Sequence, residues 1–220
     1  MDVPSAARIV LLVGLAYLSG SIPMSVIVAR LSGGVDPRTV GSGRTGGTNA
    51  LRALGRGRAA VVVVGDVLKG AMPVLLARWL GAGPVVEVLC ALAAVLGSSR
   101  SIFLGFGGGR GVGTGVGTML VIQPLAVLLA APVFILVILV TRYVSLGSLL
   151  ASAAVAIWMV LLWLATNGAL PVVYPIYAAV GAALIWLTHV DNIERLLHGQ
   201  ERKFDLSLLG GRGRGGSPSS

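Results

Sequence analysis

Apolar segments alternate with short polar segments along almost the whole chain. A helix needs about 20 mostly apolar residues to cross the hydrocarbon core of a bilayer. The apolar segments of that length, or somewhat shorter, are residues 8–30, 59–80, 85–96, 125–141, 149–166 and 172–188. The pattern predicts an all-α polytopic membrane protein.

One further apolar segment is too short to span a membrane by itself. Residues 112–122 would make a helix of roughly 16 Å, about half the thickness of a bilayer core. Gln123 and Pro124 interrupt the apolar pattern after it. Because such short arms usually lie where the backbone opens onto a cavity inside the protein, we expect a half-length helix here, after a glycine-rich loop.

The first apolar segment admits two interpretations. Gly20 and Pro23 would loosen a single span over residues 8–30. The early apolar run is also short and followed by small residues, as in a cleaved signal peptide. Asp2 offsets Arg8, which leaves the amino-terminal charge weak for a signal, so a retained span is the favoured interpretation.

Arginine placement predicts the topology. Lys and Arg concentrate in cytoplasmic loops, and the turns at residues 81–84 and 166–171 carry neither. Two crossings between each neighbouring pair of basic regions then give one leading helix and three hairpins. The prediction is seven transmembrane helices, with the N-terminus outside and the C-terminus in the cytoplasm. The four basic regions are residues 38–58, 100–110, 142 and 195–214.

Composition narrows the classes of function. The chain is 55% hydrophobic and 11% charged, unlike a soluble domain. The net charge of +9 could indicate nucleic acid, but the arginines flank apolar segments and no aromatic residues interleave with them to stack bases. Membrane lipids and a phosphorylated substrate are the expected partners. One cysteine and two histidines predict no disulfide, no metal and no cofactor site.

The polar segment at residues 41–52, GSGRTGGTNALR, is the strongest candidate for chemistry. Its glycines let backbone N–H groups turn toward an anion, and its hydroxyls and arginines add donors. The segment predicts phosphate binding. The alternative is a flexible cytoplasmic loop whose arginines only set the topology. The candidate residues are Ser42, Gly43, Arg44, Thr48, Asn49 and Arg52.

A second glycine-rich loop, residues 97–111, precedes the short helix. Backbone donors at Gly108 and Gly109 and the positive end of the helix dipole would face an anion, with Arg110 as counter-charge. Close helix packing is the alternative for these glycines. It is the favoured explanation for the run from Gly113 to Gly117.

Three pairs of polar residues lie three positions apart and therefore share a helix face. Ser145 and Ser148, in the third polar segment, would cap a helix or direct hydroxyls into the site. His189 and Asn192 follow the last span and face the cytoplasmic loops, although an interfacial histidine can simply be solvated. Asp66 and Lys69 lie within a span and form either a functional pair or a structural ion pair. We expect the three loops to meet at one cytoplasmic site.

The motifs resemble those of the bacterial acyl-phosphate:glycerol-3-phosphate acyltransferases, integral membrane enzymes of phospholipid synthesis. The resemblance extends from SGSIP at residue 19 to Phe204, almost the whole chain. Its motifs occur in the family's order, as GSGRTGGTNALRALG, FGGGRGVGTG, VSLGS and HVDNIERLLHGQERKF. It implies seven spans with an active site on the cytoplasmic face of the inner membrane. It also implies acyl transfer from acyl phosphate to the sn-1 hydroxyl of glycerol 3-phosphate, without a cofactor.

The resemblance also implies the site residues and one domain, assigned to residues 1–209. The composition of residues 210–220, GGRGRGGSPSS, predicts a disordered tail. Catalytic roles fall to Ser42, Arg52, Arg110, His189 and Asn192. Substrate binding falls to Gly43, Arg44, Thr48, Asn49, Gly108, Gly109, Ser145 and Ser148.

The chain departs from the family at several of its motif positions. Phosphate recognition therefore depends on Arg44, Arg52 and Arg110. The departures are Arg44 for a usual asparagine, Ser98 for histidine, Gly105 and Gly107 for lysines, Arg110 for lysine and Val190 for arginine.

Direct acyl transfer is the expected mechanism, because phosphate is already a good leaving group and no serine triad is evident. Either His189 or the substrate's own phosphate would take the proton, and the fatty chain would lie between helices beside the short arm. Two other functions remain open from the sequence. One is an inactive lipid-binding paralogue, and the other is a small anion transporter with Asp66 and Lys69 along its path.

Overall fold

The structure, a computed structural model, describes residues 5–205. Within that range the chain forms ten α-helices and two short 3-10 turns, with no strand, so the all-α prediction is confirmed. The predicted disordered tail at residues 210–220 lies outside the described residues. The helices are α1 Ala6–Ser21, α2 Met24–Leu31, α3 Gly47–Leu54, α4 Arg56–Trp79, α5 Pro84–Ser99, α6 Val112–Ile122, α7 Pro124–Thr141, α8 Val144–Ala165, α9 Val173–Thr188 and α10 Val190–Leu197.

The helices follow the predicted apolar segments in order. Within residues 5–205, α4, α7 and α8 are each long and apolar enough to cross a membrane. The pairs α1–α2 and α9–α10 are apolar but bent by 48° and 64°, and α5 and α6 are shorter apolar helices. The half-length helix predicted at residues 112–122 is confirmed as α6. The count of seven transmembrane helices stays a prediction.

The span predicted over residues 8–30 is a pair of apolar helices bent by 48°, and the loosening predicted at Pro23 is confirmed. α1 ends at Ser21 and α2 begins at Met24, with Pro23 between them as the residue that cannot continue the hydrogen-bond ladder. Gly20 does not interrupt α1, which continues to Ser21, and a Cβ at Gly20 would lie 2.0 Å from the Ala94 carbonyl oxygen. Gly20 instead lets the backbone of α1 pack directly against α5.

A buried ion pair ties this break to α4. Lys69 Nζ lies 2.7 Å from Asp66 Oδ1 and donates to the Ile22 carbonyl at 3.0 Å. Ser19 Oγ donates to the Lys69 carbonyl at 2.9 Å. Backbone freed at a helix break inside a membrane must find another partner, and Lys69 supplies it. The pair therefore has the structural role that the sequence left as one of two options.

Glycines bring α6 against α4. A Cβ on Gly117 would lie 2.0 Å from the Val67 carbonyl oxygen, and one on Gly70 would lie 2.2 Å from the Thr114 carbonyl oxygen. Small residues at such contacts let helix backbones approach closely in a membrane. The packing surface predicted between Gly113 and Gly117 is confirmed at Gly117 and also at Gly113, where an added Cβ would lie 3.1 Å from the Asp66 Cβ.

An apolar cavity of about 250 Å³ lies between α5, α6, α7, α8 and α9. The short helix α6 forms one wall through Val112, Gly115, Val116 and Met119. The expectation that the half-length helix opens onto an internal cavity is thus confirmed.

Candidate active site

Asn49 organises the first polar loop. Its side-chain amide donates to the carbonyl oxygens of Pro37, Val40 and Arg44 at 2.6, 3.2 and 2.9 Å, and its Oδ1 accepts from the Ser42 N–H at 3.1 Å. Gly41 has a positive φ of 59°, and a Cβ there would lie 2.2 Å from the Asn49 Oδ1. The loop closes around a buried amide, which places Asn49 in a positioning role.

The expectation of a loop through residue 52 is wrong from Gly47 onward, where α3 begins. Thr48 lies in its first turn, and Arg52 lies in its last turn, half-buried. Burial first, and then the neighbouring Arg202, lower the pKa of Arg52, while Glu201 opposes that shift. Arg52 therefore lies beside the carboxyl-terminal segment.

Three backbone donors in the two glycine-rich loops already have partners within the protein. The N–H groups of Ser42, Gly43 and Gly109 donate to Asn49 Oδ1, to the Val40 carbonyl and to the Ser98 carbonyl. Gly108 packs against the Ser98 carbonyl, 2.6 Å from where its Cβ would be. At these positions the glycines shape the loops, and anion recognition falls to side chains.

The first and second loops touch each other. A Cβ on Gly109 would lie 3.7 Å from the Gly46 nitrogen. Gly111, with a φ of 75°, turns the chain into α6, and the Arg110 carbonyl accepts from Thr188 Oγ1 at 3.0 Å. The backbone at Arg110 is thereby fixed to the end of α9.

Three arginines converge on the carboxylate of Asp191. Arg110 binds it with both terminal nitrogens, at 2.5 and 2.7 Å, while Arg195 and Arg44 lie 3.5 and 3.8 Å away. Hydrogen bonds from Arg110 hold the pKa of Asp191 far below its usual value. Burial and the charge of Arg110 lower the pKa of Arg44. The site therefore holds a strong local excess of positive charge.

A second carboxylate, Glu201, joins the third loop to the tail. It accepts from Ser145 Oγ at 3.0 Å, from Asn192 Nδ2 at 2.7 Å and from Arg195 Nε at 2.9 Å. The Phe204 N–H donates to the Arg142 carbonyl at 2.6 Å, which holds the tail over the third loop. Asn192 Oδ1 is buried and has no hydrogen-bond partner among residues 5–205.

The two serines of the third loop differ. Ser145 turns its hydroxyl toward Glu201, whereas Ser148 donates to the Val144 carbonyl of its own helix at 3.0 Å. Ser148 also lines the apolar cavity, as does Ile185. This end of the cavity therefore adjoins the polar site.

His189 lies in the bend between α9 and α10 and is buried. Its Nδ1 lies 2.7 Å from the Ile185 carbonyl, so the proton of the neutral ring is on Nδ1. Burial is the largest influence on the pKa of His189 and lowers it. The side chain is therefore neutral at pH 7.

The site contains three residues that sequence reasoning did not select, namely Asp191, Arg195 and Glu201. All three fall within the carboxyl-terminal motif, HVDNIERLLHGQERKF. The available signal was the acidic residues, since the chain has only eight Asp and Glu and three of them, Asp191, Glu194 and Glu201, lie in this segment.

Known proteins share this sequence and this arrangement. A profile described as glycerol-3-phosphate acyltransferase matches residues 10–199. The chain belongs to the glycerol-3-phosphate acyltransferase family. A family member from Thermus thermophilus is 47% identical over 189 residues, 86% of this chain and 92% of its own length. One from Rubrobacter xylanophilus is 44% identical over 207 residues, 94% of this chain and 98% of its own length.

Solved structures of the family have the same fold. The crystal structure of PlsY (YgiH), an integral membrane glycerol 3-phosphate acyltransferase, in its glycerol 3-phosphate form superposes with a TM-score of 0.82 at 36% identity. The alignment covers 93% of this chain and 99% of that one. The lysophosphatidic acid form gives a TM-score of 0.81 at 37% identity, with 92% and 98% covered. The chain is thus an integral membrane protein of the acyltransferase class.

Proposed function

We propose that this chain transfers a fatty acyl group from acyl phosphate to the sn-1 hydroxyl of glycerol 3-phosphate, which gives lysophosphatidic acid and inorganic phosphate. The observation that carries the proposal is the group of Arg44, Arg110 and Arg195 around one carboxylate, at the end of an apolar cavity. Membership of the family, and related structures in glycerol 3-phosphate and lysophosphatidic acid forms, support the same substrate class.

Arginine side chains are suited to hold the two phosphoryl groups. A guanidinium forms two parallel hydrogen bonds to phosphate, and a half-buried site strengthens them. Arg44 and Arg110 come from the first two loops, and Arg52 lies on α3 beside the tail. The arginines therefore reach a ligand from several sides, which favours orientation of two charged reactants over simple attraction.

Asn192 Oδ1 is suited to receive a hydroxyl. A buried acceptor without a partner costs free energy, and this one lies next to the arginine group. Glycerol 3-phosphate brings hydroxyl donors together with a phosphate. We therefore assign Asn192 to the glycerol part of the substrate and Ser145, held by the same Glu201, to the edge of that pocket.

The apolar cavity is suited to the fatty chain. It extends from Ser148 and Ile185, next to the polar site, to Tyr177 and Met119 deeper in the bundle. Apolar lining binds an alkyl chain through the hydrophobic effect. The carbonyl of the acyl group would then lie where the cavity meets the arginines.

The reaction needs no covalent enzyme intermediate. The glycerol hydroxyl oxygen attacks the acyl carbonyl carbon, the bond from that carbon to the phosphate oxygen breaks, and inorganic phosphate leaves with the electron pair. The hydroxyl proton passes to neutral His189 or to a substrate phosphate. Arg52 and Arg110 stabilise charge that develops on phosphate and carbonyl oxygens. Ser42 lies beside Arg44 in the first loop.

The test is turnover of purified protein with palmitoyl phosphate and glycerol 3-phosphate, followed as lysophosphatidic acid and phosphate. We expect Arg52→Ala and Arg110→Ala each to lose at least about 100-fold in kcat/KM, while the exposed Arg58→Ala retains activity. Full activity in either site variant would refute the site assignment. Binding without product would instead indicate an inactive lipid-binding paralogue, and flux into liposomes without chemical change would indicate a transporter.

A further inference from the structure

The fork of Arg110 binds a carboxylate of its own chain. Both of its terminal nitrogens bind the two oxygens of Asp191, the same bidentate geometry that a phosphate would require. Arg44 and Arg195 also form ion pairs with one of those oxygens, Oδ2. A phosphate that binds these arginines must therefore compete with the Asp191 carboxylate.

Asp191 is placed so that it can be displaced. Its side chain is 46% exposed, whereas the Arg110 side chain beneath it is 14% exposed. Asp191 lies in the first turn of α10, on the side open to solvent. The Arg110 backbone is held independently by Thr188 Oγ1, so the pocket has support besides its carboxylate.

The charges match an exchange of anions. Once Asp191 is displaced, three guanidinium groups and Glu201, which pairs with Arg195, leave a local charge near +2, and a phosphate ester carries about −1.5 to −2 at pH 7. Without an internal anion, Arg44 and Arg110 would repel each other in a half-buried pocket, where burial first and then the charge of Arg110 lower the pKa of Arg44. A permanent carboxylate relieves that repulsion when the site is empty.

We infer that Asp191 is an internal counter-anion that holds the pocket of Arg44, Arg110 and Arg195 between turnovers and competes with phosphate-bearing ligands for it. The inference rests on the proposed function. Competition weakens the binding of substrate and product phosphate alike, so it speeds the release of inorganic phosphate after each transfer.

Asp191→Asn tests the inference, because it removes the charge and keeps the shape. Removal of a competing, partly exposed ion pair should strengthen binding by about three- to tenfold. We therefore expect the KM for glycerol 3-phosphate, or the inhibition constant of inorganic phosphate, to decrease by the same factor. Asp191→Glu should stay near wild type. Glu194→Gln is the matched control, since Glu194 is an exposed acid on the same helix and should change neither constant.

A rise in KM together with a fall in kcat would overturn the inference, because it would make Asp191 a positioning group for Arg110. Unchanged constants would overturn it too. If Asp191→Asn does not fold, the same KM and inhibition constant are measured for Asp191→Ser. Calorimetric titration of the purified protein with inorganic phosphate tests the competition without turnover. If the proposed function is wrong, neither the wild type nor the Asp191 variant will form product. The phosphate affinities from calorimetry would still test the competition.

Discussion

Asn49 illustrates how one buried side chain determines the shape of a polar loop. The sequence suggested that its amide binds substrate, but four contacts to Pro37, Val40, Ser42 and Arg44 already engage it. Buried polar groups are stable only when paired. Asn49 therefore affects the reaction through the positions of Ser42 and Arg44.

An amide and a carboxylate at position 49 should differ in their effect on turnover and on the order of the first loop. Asn49→Asp places a carboxylate against three carbonyl oxygens, and each lost hydrogen bond in a buried place costs about 1–3 kcal/mol. We expect Asn49→Asp to lose at least about tenfold in turnover and to expose residues 37–46 to limited proteolysis. Asn167→Asp, in an exposed turn at the opposite ends of the helices, should have neither effect. Asn49→Asp with normal activity and protection would contradict the positioning role.

The buried His189 leads to a prediction about how turnover depends on pH. Burial lowers its pKa from the ordinary value of 6.5, so the neutral form that can accept a proton persists below that value. Turnover that depends on His189 should stay level from pH 8 to 6.5 and fall only in more acidic solution. We expect His189→Gln to lower kcat by about 100-fold and to abolish this acid limb. An unchanged limb in the variant would assign proton transfer to the substrate phosphate, whose second pKa is about 6.

At the scale of helices, the site depends on two interruptions of regular structure. At the break between α1 and α2, Lys69 donates a hydrogen bond to the Ile22 carbonyl. Glycines let the short helix α6 pack closely against α4. Ser101 Oγ donates to the Ser21 carbonyl at 2.6 Å, so the second loop is also fixed to the end of α1. These contacts position the second loop and Arg110 relative to α1 and α4.

The glycine contact between α4 and α6 can be tested by a single methyl group. A Cβ at Gly117 would overlap the backbone of α4 at Val67, which cannot move without shifting the helix. We expect Gly117→Ala to destabilise the protein by about 1–3 kcal/mol, measured as a lower Tm in detergent. Gly14→Ala is the control, because nothing lies within 4 Å of its Cβ position. Equal Tm values for the two variants would contradict close packing of α6.

At the scale of the whole molecule, positive charge and chemistry share one end of the helical bundle. The ends of α5, α7 and α9 and the starts of α4, α6 and α8 lie there with most of the arginines. The turn at residues 166–171 lies at the other end, with Arg78 and with Arg8, which donates to the Leu80 carbonyl. The rule for basic loops places the arginine end in the cytoplasm, where acyl phosphate and glycerol 3-phosphate would be supplied. We propose that orientation for this chain in the bacterial inner membrane.

Cysteine labelling in intact cells can measure the orientation. The chain has one cysteine, Cys90, which is buried in α5 and provides a low background. We expect an impermeant maleimide to label Ala169→Cys in spheroplasts and to label Gly57→Cys only after lysis. Both positions are exposed. The reverse pattern would invert the proposed topology.

The sequence by itself determined the helical membrane architecture, the short helix and the family motifs. These follow from local chemistry, since apolar length, Gln123 with Pro124, and glycine clusters act on their own segments. The loosening at Pro23 was predicted as well, but the partner of the Ile22 carbonyl was not, because Lys69 is 47 positions away.

Only the tertiary structure decided how the charges pair. Arg110 and Asp191 are 81 positions apart, and Ser145 and Glu201 are 56 apart, so no local pattern links them. The partners of Asn49 lie nearby in sequence, but which of its atoms meet a carbonyl depends on how the loop closes over α3. Side-chain hydrogen bonds and ion pairs depend on distances of a few ångströms, which are set by the packing of the whole bundle.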